Sequence, residues 1–175
     1  MKRIAIDMDE TIADAIQKVR SLYEKEVGRR FSDEELHGKT LREVFPPEHR
    51  DKLKEYLHSA GFFRDLHVLP DSQEVIYALT KKYEVYITSA AMEFRTCFTD
   101  KFDWLAEHFP FIPWQNIVFC GDKSIIRADF LIDDHARHFK GFGGQGILFT
   151  SPHNVHETGY PRVNNWREVA AMFLG

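Results

Sequence analysis

The sequence predicts an α/β fold: a doubly wound parallel sheet with a small helical cap inserted after the first strand. Three observations carry that expectation. A short apolar run, Arg3-Ile4-Ala5-Ile6, gives way at once to Asp7 and Asp9, as a buried strand does when its C-terminal tip delivers carboxylates to solvent. Further on, strand-like runs alternate with stretches of helical period, which argues for a parallel sheet covered on both faces. Between about Asp14 and Leu69 no strand pattern is legible, so this block reads as an insertion. The expected partition is a core of residues 1–13 and 70–175 and a cap of residues 14–69.

The first strand is expected over Arg3–Met8. Ile12, Ile16, Val19 and Leu22-Tyr23 then follow helical spacing from Thr11 to Val27, with Gly28 as the stop. Ser32 and Glu35 have the spacing of a capping box, and Pro46-Pro47 breaks the chain before a helix over Glu48–Ser59. A helix after Asp71 runs to Leu79 and leads into a strand over Tyr83–Ile87, which ends at Thr88-Ser89. A longer helix, Glu93–His108, closes in a Pro-rich turn. Strands over Asn116–Cys120 and Phe130–Ile132 run into Asp122-Lys123 and Asp133-Asp134. The Gly-rich stretch Gly141–Gly146 reads as a connecting turn before a last strand, Ile147–Phe149, and a closing helix, Trp166–Leu174. The sheet expected is Rossmann-like, although that Gly-rich stretch lacks the strand and helix of a dinucleotide fingerprint.

At 175 residues and 43% hydrophobic, the chain can bury one good core. A net charge of −4 with no basic stripe argues against binding a nucleic acid polymer. Cys97 and Cys120 are the only cysteines and have no metal-like spacing. No signal-peptide pattern opens the chain, and no segment approaches the ~20 apolar residues of a membrane span. A cytoplasmic location is expected.

Polar residues gather where the strands end: Asp7 and Asp9, Thr88 and Ser89, Asp122 and Lys123, Asp133 and Asp134. Each group has a bland reading, as an N-cap, a surface charge or a turn. Their common position does not, because a doubly wound sheet brings its strand ends to one edge, where ligands bind. Paired like charges cost about 4 kcal/mol at about 4 Å and an effective dielectric near 20, so such a cluster calls for a cation or a function.

Asp7-Met-Asp-Glu-Thr11, Ile87-Thr-Ser89, Asp122-Lys-Ser124 and Leu131-Ile-Asp-Asp134 resemble the four motifs of the haloacid dehalogenase (HAD) superfamily of phosphohydrolases. With Gly61-Phe-Phe63, Leu148-Phe-Thr150 and His153-Asn154, the order is similar to that of the 5'(3')-deoxyribonucleotidases. That resemblance implies a Mg²⁺-dependent hydrolase of deoxyribonucleoside monophosphates working through an aspartyl-phosphate. It makes Asp7 the nucleophile and Asp9 the general acid and base. It gives Thr88, Ser89, Lys123 and Asp9 to the phosphate, and Asp7, the Asp9 carbonyl and Asp134 to the metal, with Asp133 in support. Glu10 stands where many relatives carry Gly.

The substrate pocket is less legible. Ala15 and Leu57 occupy positions that relatives fill with aromatics, so Phe62 and Phe63 become candidates to stack on a base, a contact worth about 1–3 kcal/mol. Core packing is the competing reading in a chain with fifteen Phe. His135 and His138 beside Asp134 hint at a transition-metal site with no visible third ligand, and His153 reads as a loop residue that orients a neighbour. Two other functions stay open: a HAD phosphatase for another small phosphomonoester, and a phosphate-binding or signalling module. A receiver of the response-regulator type keeps its phosphoacceptor on a later strand and lacks a large helical insertion.

Overall fold

The computed structural model describes residues 1–175. In chain order its regular elements are β1 (Arg3–Asp7), β2 (Ala13–Asp14), α1 (Ala15–Val27), α2 (Asp33–Leu36), α3 (Leu41–Val44), α4 (Arg50–His58), β3 (His67–Val68), α5 (Ser72–Leu79) and β4 (Glu84–Ser89). They continue as α6 (Cys97–His108), β5 (Ile117–Phe119), β6 (Phe130–Asp133), β7 (Gln145–Phe149), β8 (Arg162–Val163) and α7 (Trp166–Leu174). Six strands form a wholly parallel sheet in the order β5-β4-β1-β6-β7-β8. The chain winds outward from β1 through β4 to β5, then returns to start the other half at β6. The crevice of this doubly wound sheet therefore opens at the carboxyl ends of β1 and β6.

Register decides which side chains meet there. Asp7 lies opposite Thr88, and Ile6 lies opposite Ile132, so Asp133 falls one step beyond at the level of Asp7. Strand side chains alternate between faces, so Asp7, Thr88 and Asp133 share one face of three adjacent strands. Ala5, Leu131 and Leu148 lie on that same face with Phe139 and Phe142. Ile4, Ile6, Ile87 and Ile132 face the other way, into the large core. There α5 and α7 pack on each other.

The helical segment is tethered by a two-stranded antiparallel ribbon that the sequence does not announce: Ala13 pairs with Val68 and Asp14 with His67. Two residues per strand are too few to show an alternation. The ribbon also delays α1, which starts at Ala15 rather than near Thr11, because Ile12 and Ala13 donate to the Met8 carbonyl at 2.9 and 3.0 Å in a tight turn. Similarly α6 starts at Cys97, since Ala91–Glu93 forms a separate 3₁₀ turn. The strand β7 begins at Gln145 and absorbs Gly146, where a Cβ would collide with the Phe139 ring. Short β8 is a further unannounced strand.

Inside the inserted segment, Tyr23, Phe31 and Phe45 pack mutually with ring centroids 4.7–5.0 Å apart. The Tyr23 hydroxyl lies 2.7 Å from His49 Nδ1. The capping box forms as expected, with Glu35 N donating to Ser32 Oγ at 3.2 Å and Ser32 N to Glu35 Oε2 at 2.9 Å. Two indoles fasten the segment's roots: Trp104 Nε1 donates to the Leu66 carbonyl and Trp166 Nε1 to the Thr11 carbonyl, both at 2.8 Å. At its far end the Gly38 amide donates to the Pro152 carbonyl at 2.9 Å. Gly38 has φ +70°, and a side chain there would strike the His156 ring.

Phe31→Ala is expected to cost about 3–5 kcal/mol of stability, the usual price of emptying a buried aromatic site. Urea unfolding followed by circular dichroism checks this, and a loss below about 1 kcal/mol would show that the aromatic trio does not hold the segment together.

Candidate active site

Lys123 is the pivot of the strand-end cluster. It follows β5 on a short turn that Asp122 fixes by accepting from Ser124 N at 2.8 Å. Its side chain is buried, and Nζ donates both to Asp7 Oδ1 and, at 2.6 Å, to Asp133 Oδ2. Asp133 is otherwise fully engaged, accepting from His135 N and lying 2.8 Å from His138 Nδ1. Burial alone would push the Asp133 carboxyl up, but Lys123 and His138 outweigh it and hold it down at about 2. The ammonium of Lys123 is likewise held above the ordinary lysine range by Asp7 and Asp133, against the opposing pull of burial.

Asp7 and Asp134 go the other way. Burial, reinforced by Asp133 and Asp9, pushes Asp7 up to about 7 despite Lys123. Asp134 rises well above the carboxylate range through burial and its neighbours Asp7, Asp133 and Glu10. Carboxylate oxygens of Asp7, Asp133 and Asp134 lie within 4.8 Å of one another. Three buried carboxylates around one ammonium leave a surplus of negative charge. Such an all-oxygen donor set fits a hard divalent cation, which would offset that surplus.

The Asp134 main chain is held independently. Its carbonyl accepts from Asn154 Nδ2 at 2.7 Å, and His153 Nε2 lies 3.1 Å away. His153 thus lies where it can orient Asp134. The transition-metal expectation is redistributed: His138 turns to Asp133, whereas His135 stacks on His153 with centroids 4.2 Å apart. The three ligand atoms that approach are those of Asp134, His135 and His153. Burial holds both of those imidazoles below the usual histidine range.

On the opposite flank stands a residue the sequence reading missed. Lys101, on α6, is fully buried and donates to Asp9 Oδ2 and, at 2.9 Å, to Ser89 Oγ. A signal for it existed. Cys97, Lys101, Trp104 and Leu105 form the buried stripe of α6, so a lysine occupies a helical core position and must have a buried partner. Asp9 Oδ1, by contrast, is buried without a hydrogen-bond partner. Thr88 is buried too, and its hydroxyl makes only a long 3.4 Å bond to the Ile6 carbonyl.

Glu10 occupies the left-handed region at φ 59°. A non-glycine residue there is strained, and its side chain compensates by accepting from Ile16 N at 2.7 Å at the start of α1. Phe62 and Phe63 are both buried, pack edge to face 4.8 Å apart, and are not among the residues of the cavity wall. Phe63 faces Lys101 Nζ at 4.5 Å. A cavity of about 750 Å³ instead joins Asp7, Asp9 and Asp134 to Ile16, Leu57 and Phe94. Ala15 also lines it, as do Lys39, Arg42, Arg50 and Lys54 from the inserted segment.

Comparison with known proteins places this geometry. The family model described as "5' nucleotidase, deoxy (Pyrimidine), cytosolic type C protein" matches residues 1–175. A Staphylococcus aureus protein provisionally named 5'(3')-deoxyribonucleotidase is 44% identical over 173 residues, covering 99% of this chain and 96% of its own. A Bacillus subtilis protein named 5'(3')-deoxyribonucleotidase is 38% identical over 186 residues, covering 99% of both. Among solved structures, a HAD hydrolase from Bacillus subtilis bound to magnesium superposes with a TM-score of 0.60 at 15% identity, covering 98% of each chain. A match in sequence along the whole length makes this chain a member of the 5'(3')-deoxyribonucleotidase family, on the HAD-like fold.

Proposed function

We propose that this protein hydrolyses deoxyribonucleoside monophosphates to nucleoside and phosphate, with Mg²⁺ as cofactor and Asp7 as the nucleophile. The observation that carries the reading is the buried Asp7–Lys123–Asp133 arrangement beside Asp134, at the sheet's crevice and at one end of a cavity large enough for a mononucleotide. Phosphate monoesters hydrolyse extremely slowly unaided, so nucleophile, proton donor and charge neutralisation must all be supplied.

The chain's own residues supply them as follows. Asp7 attacks phosphorus, and the bond to the ester oxygen breaks as Asp9 protonates it. Asp9 then takes a proton from water, whose oxygen attacks the aspartyl-phosphate and frees Asp7. Lys123 balances charge on the phosphoryl oxygens. Ser89, whose oxygen already accepts from Lys101, keeps its proton to donate to phosphate, and Thr88 lies level with Asp7 to do the same. Mg²⁺ would be held by Asp7, the Asp9 carbonyl and Asp134, and when bound supplies Lewis-acid neutralisation of the phosphate. Asp133 serves in support, since Lys123, His135 and His138 already take up its oxygens.

The cap, residues 14–69, closes over the substrate and keeps water from the intermediate. Its four cations on the cavity wall attract an anionic substrate to a chain of net charge −4. For the base, Phe94 replaces Phe62 and Phe63 as the stacking surface. It lines the cavity and meets the His58 ring edge-on at 5.2 Å.

Asp7→Asn is expected to abolish turnover while leaving the circular dichroism spectrum unchanged; near-normal turnover would remove Asp7 as nucleophile. Chelation is expected to silence the enzyme and Mg²⁺ to restore it. Asp134→Ala should weaken Mg²⁺ binding at least about tenfold more than Asp133→Ala in a titration of activity against metal; the reverse order would reassign the ligand. Phe94→Ala should raise KM for deoxyuridine monophosphate about tenfold or more, the equivalent of one lost stacking contact, and leave a baseless phosphate ester unaffected. Brisk hydrolysis of a sugar phosphate beside negligible activity on every nucleotide would leave the phosphatase chemistry standing and remove the nucleotide as substrate.

A further inference from the structure

We propose that Lys101 is a positioning residue for proton transfer, holding the Asp9 carboxyl in one orientation. The proposal rests on the acid–base role given to Asp9 above. Lys101 Nζ donates to Oδ2 of Asp9, whereas Oδ1 is buried with no partner. The ion pair thus grips Asp9 by one oxygen, and no other side chain competes for the second. The ion pair also fixes the carboxyl plane.

Three directions around Nζ are accounted for. One N–H goes to Asp9 and one to Ser89 Oγ at 2.9 Å, and the Phe63 ring lies 4.5 Å away. An ammonium has three donors and no more. Two of the Lys101 donors therefore hold Asp9 and Ser89, and its role is to fix them. Phe63 comes from the return segment of the insertion and Lys101 from α6 of the core, so the aromatic contact joins the two parts beside the acid. That gives the buried Phe63 a role that base stacking did not.

The steps stay balanced. As the phosphorus–oxygen bond to the nucleoside breaks, its electron pair remains on the leaving oxygen, which takes the proton from the Asp9 carboxyl. In the second half the Asp9 carboxylate, now bare, receives the proton of the attacking water. Lys101 keeps its own protons throughout.

Lys101→Met removes the charge and keeps most of the volume, and Asp9, with a side chain 30% exposed, can then be solvated in another orientation. The experiment compares kcat and KM of the Mg²⁺-loaded full chain for deoxyuridine monophosphate, whose leaving group needs a proton, and for p-nitrophenyl phosphate, whose leaving group does not. Lys101→Met is expected to lower kcat about 100-fold on the nucleotide and less than about tenfold on the nitrophenyl ester, with KM moving less than about threefold on either. Equal losses on both substrates, or a KM rise at steady kcat, would overturn the proposal, the latter making Lys101 a phosphate ligand. Asp9→Asn is assayed in parallel: if it shows no leaving-group split, the acid role of Asp9 fails. If Asp9→Asn splits and Lys101→Met does not, only the Lys101 proposal fails. Should the Met variant aggregate, Lys101→Gln, which retains a donor, is expected to show the same split at smaller size, and its absence there is equally decisive.

Discussion

One buried ammonium makes the carboxyl edge of this sheet possible. Lys123 lies between Asp7 on β1 and Asp133 on β6, neighbouring strands whose register sets both carboxylates at one level on one face. Without a cation those groups would repel in a poorly solvated site. The turn after β5 delivers the cation from the far edge of the sheet. The crossover from β5 back to β6 is thus both the topological switch and the electrical closure of the site.

Around that centre the work is divided among carboxylates that look alike in sequence. Asp133 is saturated by Lys123, His138 and a backbone amide and acts as part of the frame. Asp134, one residue on, keeps its carboxylate toward Asp7 while His153 and Asn154 hold its main chain. Asp9 is steadied from the opposite side by Lys101. Asp133 and Asp134 thus differ because the strand ends between them and each finds its own hydrogen-bond partners.

The strand ends were legible because a buried parallel strand leaves a continuous apolar run, and polar residues that interrupt it stand out. Arg3–Asp7 and Phe130–Asp133 show this, and α7 matched its expected span, Trp166–Leu174. What escaped notice was too short or too dependent on distant partners. The pairs Ala13-Asp14 and His67-Val68 carry no periodicity, and their strand character exists only because each finds the other across the inserted segment. Arg162-Val163 is similar. Phe62 and Phe63 have the composition of a base pocket, but composition cannot tell a ring facing a cavity from one facing Lys101 and Phe94. Lys101 differs from an ordinary helix lysine only in its place on the stripe of Cys97, Trp104 and Leu105.

The bond from the Gly38 amide to the Pro152 carbonyl ties the inserted segment to the loop beside Asp134. Pro152 precedes His153 and Asn154, the two side chains that reach the Asp134 carbonyl. The inserted segment cannot lift away at that end without either parting from this loop or pulling on it. The second course would transmit the pull to the main chain of Asp134 through a few residues. The ribbon at its roots and this bond to the loop of His153 and Asn154 thus tie the inserted segment to the core at two separate places.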